Sequence, residues 1–267
     1  MQYPIKHISL DAWNTLLIPN PLFAKRRAEL LAGVFLCSEE FARKMYTKTK
    51  LEIDTFTERS GFSISPEECV KRLILNFNQD VNIKWLKDKI DFLFEKSQPI
   101  ILDSVVSTIK FLYEEHKITF SISSNTNFIS GRFLGTIIKN KFRNECDDAI
   151  SFMVFSDLNK ENVEHGHLIE EFFGIKDAFV RCAKPSSKFF KLVMDNANII
   201  RTADPLLKNN ILHIGDHQVC DFNGASAFGF NVKLINSPSD LPDALMHTLE
   251  LNREASNLLN RKISIYR

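Results

Sequence analysis

Polar side chains that could do chemistry stand in this sequence where short apolar runs end. The set, in chain order, consists of Asp11, Ser124-Asn125, Lys184-Pro185, Gly215-Asp216 and Asp221. Carboxylates of this kind can hold a divalent cation, and one of them can act as a nucleophile. Each residue alone has a simpler explanation, since a lone aspartate after a strand usually caps a turn and a lone Lys-Pro usually starts a helix. Their common position at the ends of apolar runs is what makes the set informative.

The elements that must position these residues alternate between short apolar runs and amphipathic stretches. The strand-like runs are residues 7–10, 118–123, 150–155, 211–214 and 231–235, and the helix-like stretches include 104–116, one after Pro185, 224–228 and 242–259. Strands that alternate with helices pair in parallel through right-handed crossovers. The sequence therefore predicts an α/β fold, with a Rossmann-like parallel sheet flanked by helices. In such a sheet, ligands bind outside the carboxyl ends of the strands.

One region breaks this alternation, because residues 21–97 show helical periodicity only. Ser65-Pro66-Glu67-Glu68 has the pattern of a capping box, with serine at the N-cap and proline at the first helical position. Further helices are expected after Ser38 and around Trp85. We therefore predict a core domain of residues 1–20 and 98–267, with an inserted all-helical cap domain of residues 21–97.

The composition is that of an ordinary globular protein and argues against several classes of function. Net charge is +1, 44% of the residues are hydrophobic, and five scattered cysteines form no CxxC pair. We expect neither nucleic-acid nor membrane binding, because there is no long basic block and no apolar run of about 20 residues. Reduced cysteines and the short, polar N-terminal segment favour a cytoplasmic location.

The set of polar residues resembles the motifs of the haloacid dehalogenase-like (HAD) hydrolase superfamily, in its phosphatase-type form with a helical cap. The four motifs correspond to Asp11 through Leu16, to Ser124-Asn125, to Lys184-Pro185, and to Gly215-Asp216 with Asp221. The resemblance extends over nearly the whole chain, except for residues 159–179 and the C-terminal tail. We expect the extra segment 159–179 to thicken the edge of the sheet rather than overhang the site.

The resemblance implies a Mg²⁺-dependent phosphatase that acts on a small phosphorylated molecule through an aspartyl-phosphate. Asp11 would be the nucleophile, and a cation would neutralise the repulsion between its carboxylate and the phosphate. The implied metal ligands are Asp11, the main-chain carbonyl of Trp13, Asp216 and Asp221. Lys184 would hold Asp11 and the transferring group, and Ser124 would donate to the phosphoryl oxygens. The residues implied to position the substrate are Asn14, Thr15 and Asn125.

Trp13 departs from the family pattern, because phosphatases of this superfamily usually carry an acid–base aspartate two residues after the nucleophile. The indole N–H donates only, so Trp13 cannot replace that group. One alternative is a Mg²⁺-dependent hydrolase that acts on phosphorylated substrates with better leaving groups, or in which His217 or a cap residue supplies the proton. A second is a dehalogenase, which expels halide and has an aromatic residue in this position, although true dehalogenases lack the Gly-Asp of the fourth motif. The others are a degenerate binding protein and carbon–phosphorus cleavage.

Three further features favour ordinary structural roles over functional ones. Trp13 is expected to pack the sheet against the cap, whatever the activity. Arg26 and Arg27 could bind a substrate anion, but an exposed helix face is the better expectation. His165 and His167 form a poor zinc motif and are expected to be surface residues.

Overall fold

The computed structural model describes residues 3–143, 149–156, 167–172, 175–201 and 204–265. The backbone alone is described for residues 167–172, 175–177 and 258–265. The expectation that His165 and His167 are surface residues lies outside these limits, since His165 is not described and only the backbone of His167 is.

The described residues form one seven-stranded sheet in the order β4-β5-β3-β2-β1-β6-β7. The strands are β1 (His7–Leu10), β2 (Thr119–Asn125), β3 (Ile150–Ser156), β4 (His167–Phe172), β5 (Ile175–Val180), β6 (Ile211–Gly215) and β7 (Asn231–Leu234). All neighbours pair in parallel except β4, which runs antiparallel to β5. The predicted α/β sheet is confirmed, and all five predicted strands are present with small shifts at their ends.

The register of the central strands brings the predicted site residues to one edge. β1 lies between β2 and β6, and Leu10 is paired with both Ile122 and Ile214. The chain leaving β1 continues this pairing, since the Asp11 amide donates to the Ile214 carbonyl at 2.9 Å. The residues that follow β1, β2 and β6 therefore meet at the carboxyl edge of the sheet.

Helices cover both faces of the sheet because alternate strand residues are apolar on each side. The helices of this part of the fold are α5 (Asp103–His116), α6 (Gly131–Arg143), α7 (Ser187–Ile200), α8 (Gly224–Phe228) and α9 (Leu241–Ile265). Met153 and Phe155 of β3 belong to the same buried cluster as residues of α5, α6 and α9, whereas Phe152 and Val154 belong to the cluster of α7 and α8. This alternation is the period of two expected for a strand buried on both faces.

Four helices fill the segment that the sequence assigns to a cap. They are α1 (Pro21–Phe35), α2 (Glu39–Ser60), α3 (Pro66–Phe77) and α4 (Ile83–Glu95). Their N-caps follow the sequence, since Asn20, Ser38, Ser65 and Asn82 each accept a backbone N–H at the helix start. The chain enters and leaves this segment side by side, because Ile18 and Ile100 exchange backbone hydrogen bonds of 2.8 and 3.0 Å.

The extra segment, residues 159–179, extends the sheet where it is described. β4 and β5 add two strands beyond β3, so this part of the segment widens the edge of the sheet, as expected. The residue pattern of β4 does not predict a strand. Its sequence HLIEEF carries adjacent glutamates, which a strand at the edge of a sheet accepts more readily than a central one. No helix in the described part of the chain is long and apolar enough to span a membrane.

Candidate active site

A cavity of about 400 Å³ lies at the carboxyl edge of the sheet, beneath helices α1 and α2. The sheet side contributes the predicted residues Asp11, Asn125, Lys184, Asp216 and Asp221, together with Trp13 and Asn14. The facing side is formed by α1 and α2 and includes aromatic and charged side chains. The polar set recognised in the sequence therefore converges on one cavity, apart from Ser124 and Thr15.

The ammonium of Lys184 joins the two buried carboxylates of the set. Its Nζ lies 2.5 Å from Asp11 Oδ1 and 2.5 Å from Asp221 Oδ1, and all three side chains are buried. Burial acts to lower the pKa of Lys184, but the two carboxylates outweigh it and raise that pKa above its usual value. Lys184 is therefore a fixed positive charge.

The two carboxylates respond in opposite directions. Burial raises the pKa of Asp11 to about 7, and the neighbouring Asp221 adds to this, although Lys184 opposes it. For Asp221, burial is outweighed by Lys184 and by a hydrogen bond with His213, so its pKa is lowered. One buried ammonium thus neutralises only one of the two buried carboxylates, and a negative charge remains. This charge favours either a proton on Asp11 or a bound cation.

Asp11, Asp216 and Asp221 offer carboxylate oxygens that lie within 4.8 Å of one another. Three carboxylates with no sulfur or imidazole are a donor set suited to Mg²⁺ rather than to softer metals. The residues present therefore fit the ion that the resemblance implies. Asn14 supports this group, since its amide donates to Asp216 Oδ2 at 3.1 Å.

Gly215 explains how Asp221 reaches this position. A Cβ at residue 215 would lie 2.2 Å from Cγ of Asp221, so only glycine leaves room for the carboxylate against the end of β6. The other side of the carboxylate is held by a backbone donor, because the His217 amide lies 3.0 Å from Asp221 Oδ2. A glycine at position 215 is thus required for the carboxylate of Asp221 to pack against the end of β6.

Asn125 lines the cavity and also holds the backbone of Lys184. The Lys184 amide donates to Asn125 Oδ1, and the Asn125 amide donates to the Lys184 carbonyl, both at 2.9 Å. This reciprocal pair fixes the loop after β5 to the end of β2. The contact of Asn125 with substrate stays a prediction.

Two predicted residues are buried beside the cavity rather than in its wall. Ser124 is fully buried and its hydroxyl donates to the Asn125 carbonyl at 3.2 Å. Thr15 is also fully buried, and its Oγ1 has no hydrogen-bond partner among the described residues. For Ser124 to bind a phosphoryl oxygen, its hydroxyl would have to leave the Asn125 carbonyl.

A chain of buried polar side chains, not predicted from the sequence, supports Asp221 from below. His213 Nε2 lies 3.1 Å from Asp221 Oδ1, and His213 Nδ1 lies 3.1 Å from Ser9 Oγ, which is 2.6 Å from Ser123 Oγ. Burial lowers the pKa of His213. The sequence does contain a signal for these residues, because polar side chains interrupt β1, β2 and β6, and strands buried on both faces are usually apolar throughout.

Trp13 occupies the position where the family pattern has a second aspartate. Its ring contacts Phe94 of α4 edge-on at a centroid distance of 5.9 Å, and it also lines the cavity. This contact agrees with the expected packing between sheet and cap. His217, the alternative proton source, lies in the cavity wall with Nε2 3.3 Å from Glu58 Oε1 of α2.

Comparison with known proteins identifies the fold through solved structures, since no family model and no curated protein matches the sequence. The putative HAD-hydrolase YfnB of Bacillus subtilis, solved bound to magnesium, matches with a TM-score of 0.60 and 14% identity, covering 91% of this chain and 99% of that one. A 2-haloacid dehalogenase of Pseudomonas syringae matches with a TM-score of 0.53, 19% identity and the same coverage. A putative β-phosphoglucomutase of Thermotoga maritima matches with a TM-score of 0.57 and 12% identity, again over 91% and 99%. The chain therefore has the fold of the haloacid dehalogenase-like hydrolases.

Proposed function

We propose that this protein is a Mg²⁺-dependent hydrolase that removes a phosphoryl group from a small molecule through an aspartyl-phosphate on Asp11. The observation that carries the proposal is the arrangement of Asp11 and Asp221 on the single ammonium of Lys184, with Asp216 beside them. A nucleophilic carboxylate needs a fixed positive charge and room for a cation, and this arrangement supplies both.

The residues of the chain would divide the reaction between them. A Mg²⁺ ion held by Asp11, Asp216 and Asp221 would supply the charge that lets an anionic phosphate approach an anionic nucleophile. Asp11 attacks phosphorus, the bond to the leaving oxygen breaks, and Lys184 balances the charge that develops on the transferred group. Water then attacks phosphorus, the bond between phosphorus and the Asp11 oxygen breaks, and Asp11 is restored as a carboxylate while dihydrogen phosphate leaves with both protons of the water.

Trp13 limits which substrates react well. The leaving oxygen of an alkyl phosphate needs a proton, and general acid catalysis is typically worth about 10²- to 10⁴-fold. With an indole at position 13, we expect acyl and aryl phosphates to react faster than alkyl phosphates. The cavity gives the leaving group a largely apolar surrounding formed by Trp13, Phe23 and Phe128.

The test is turnover of acetyl phosphate, 4-nitrophenyl phosphate and ethyl phosphate, each with Mg²⁺ and with EDTA. We expect release of phosphate that depends on Mg²⁺ and whose rate falls steeply from acetyl phosphate through 4-nitrophenyl phosphate to ethyl phosphate. Asp11→Asn should release none. Hydrolysis unaffected by EDTA would contradict the metal requirement. Substantial turnover by Asp11→Asn would contradict the nucleophile, and Mg²⁺ binding without any turnover would indicate a binding protein.

Dehalogenation is the second candidate, and the aromatic residue at position 13 favours it. Halide leaves without a proton, so an enzyme of this kind needs no acid at that position. The similarity to a 2-haloacid dehalogenase fold does not separate the two activities, because the fold is shared. Chloride release from 2-chloropropionate in the presence of EDTA would support dehalogenation, and its absence together with Mg²⁺-dependent phosphate release would support the phosphatase.

A further inference from the structure

Arg27 differs from the other basic side chains of the cavity. Lys184 is paired with Asp11 and Asp221, and Lys50 is paired with Asp54 at 2.5 Å. Arg27, on α1, lines the same cavity but makes no hydrogen bond or ion pair with any described residue. The Arg27 side chain is half-buried, and none of its nitrogens is fully buried, so its N–H groups are accessible from the cavity to an acceptor.

The aromatic residues around Arg27 fix its position and leave its donors available. Its guanidinium carbon lies 3.5 Å from the centroid of the Tyr46 ring, and the Phe23 ring is 5.0 Å away. Tyr46 is itself held by Phe128, at a ring distance of 4.6 Å. A guanidinium stacked by its face keeps its N–H groups at the edge, in the plane that matches a carboxylate or phosphate.

The neighbouring arginine shows that this arrangement is specific to position 27. Arg26 does not line the cavity, and its guanidinium donates to the Lys96 carbonyl at 3.4 Å and to Ser97 Oγ at 3.1 Å. Arg26 therefore ties α1 to the segment that follows α4. The exposed helix face expected for both residues does not describe Arg27, which lies in the cavity wall.

We propose that Arg27 binds a second anionic group of the substrate, a carboxylate or a second phosphate, at the end remote from the phosphoryl group that Asp11 attacks. This inference rests on the proposed function, since it places the reacting phosphate at Asp11. The substrate is then a small dianionic or polyanionic molecule whose middle part lies along Trp13 and Phe128. Charge supports the assignment, because Arg27 is the unpaired cation of the cavity within the described part of the chain.

The test uses stable phosphonates, so binding is measured without turnover. Alkylphosphonates of two to six carbons are compared with ω-carboxyalkylphosphonates and alkylene bisphosphonates of the same lengths by calorimetry with Mg²⁺. We expect the wild-type protein to bind one chain length of the doubly anionic probes roughly 10- to 100-fold more tightly than the matched alkylphosphonate, as a charge-assisted hydrogen bond allows. Whether the carboxylate or the bisphosphonate series shows the larger effect identifies the second anion.

The ratio between matched probes is taken within each variant, so a general loss of affinity cancels. Arg27→Met and Arg27→Gln should abolish the preference, Arg27→Lys should keep part of it, and the exposed Lys25→Met, with the same change in charge, should keep all of it. Equal binding of matched probes by the wild-type protein, or a preference that survives in Arg27→Met, would overturn the inference alone. Failure of every phosphonate to bind would overturn the proposed function and this inference with it.

Discussion

At the residue scale, the chemistry of the site follows from an imbalance of charge. Asp11 and Asp221 share one ammonium in a buried place, so the cluster carries an excess negative charge. Removing one partner of such a buried group leaves an uncompensated charge and is strongly destabilising. A cation at Asp11, Asp216 and Asp221 would offset the excess and would also keep Asp11 ionised, which a nucleophile requires.

Trp13 is the residue whose replacement tests the mechanism most directly. We expect Trp13→Asp to raise the turnover of ethyl phosphate by about tenfold or more, because a carboxylic acid there can protonate the leaving oxygen. Acetyl phosphate, whose leaving group needs no proton, should change little. The measurement is kcat/KM for both substrates with Mg²⁺, because this constant reports the transfer of the phosphoryl group to Asp11 and not the later hydrolysis of the shared aspartyl-phosphate.

Trp13→Asn is the matched control, since it removes the same ring and its contact with Phe94 but adds no acid. Equal rates for the Asp and Asn variants on ethyl phosphate would show that proton transfer is not the limitation.

Sequence alone identifies the charged residues of the site but not the polar residues that hold them. Asp11, Lys184 and Asp221 could be recognised because each follows a motif with a chemical reason for its spacing. His213 and Ser9 stand out in the sequence only as polar residues within apolar strands, and their partners depend on which strand is the neighbour. The register of β1 with β2 and β6 decides that, and register is a tertiary property.

At the element scale, the end of β6 is shaped to bring Asp221 against the backbone. Gly215→Ala would place a Cβ 2.2 Å from Asp221 Cγ and 2.3 Å from its Oδ2, so the carboxylate or the strand must move. We expect the Mg²⁺ concentration for half-maximal activity to rise by about tenfold or more. The measurement is a Mg²⁺ titration of 4-nitrophenyl phosphate hydrolysis, together with a thermal melt.

Gly33→Ala is the control for this substitution, because an added Cβ there meets nothing within 4 Å. Gly33 lies exposed in α1, where alanine is the better helix former, so stability should not fall. An unchanged Mg²⁺ dependence in a folded Gly215→Ala protein would contradict the argument that this glycine positions Asp221.

The elements that the sequence predicts well are those with one strong periodic pattern. The apolar runs of β1 and β6 fall within one residue of their expected bounds, and α2 and α3 begin directly after the expected N-caps Ser38 and Ser65. The helix α6 and the strands β4 and β5 were not assigned. β4 has adjacent glutamates and lies at the edge of the sheet, where it pairs only with β5. Its sequence therefore resembles that of an exposed segment, and only the pairing with β5 shows that it is a strand.

At the scale of the whole molecule, the segment α1–α4 and the sheet meet around the cavity through specific polar contacts. The Ser63 amide donates to the Arg181 carbonyl at 2.7 Å, and the Ala183 amide donates to the Gly61 carbonyl at 2.9 Å. Asn127 also donates to Asp54 of α2 at 2.8 Å. These contacts hold the loop after α2 against the chain that leads to Lys184. Which helical residues face the cavity is set by this docking, and for that reason the sequence could not separate Arg27 from Arg26 as a candidate for binding an anion.

Buried histidines at the centre of the sheet should make the stability of the whole molecule fall in acid. His7 lies between Thr119 and Ser121, and burial, with a contribution from Arg201, lowers its pKa from 6.5 to about 3. Above pH 6.5 neither state binds this proton. Below it the unfolded chain binds the proton and the folded chain does not, so the free energy of unfolding falls as pH falls, by up to about 1.4 kcal/mol per pH unit.

We expect His7→Gln, which does not titrate, to lose about 1 kcal/mol less than the wild-type protein between pH 6 and pH 5 in urea denaturation. The exposed His247→Gln should follow the wild-type curve, and a His7→Gln curve parallel to it would show that His7 is protonated without cost in the fold.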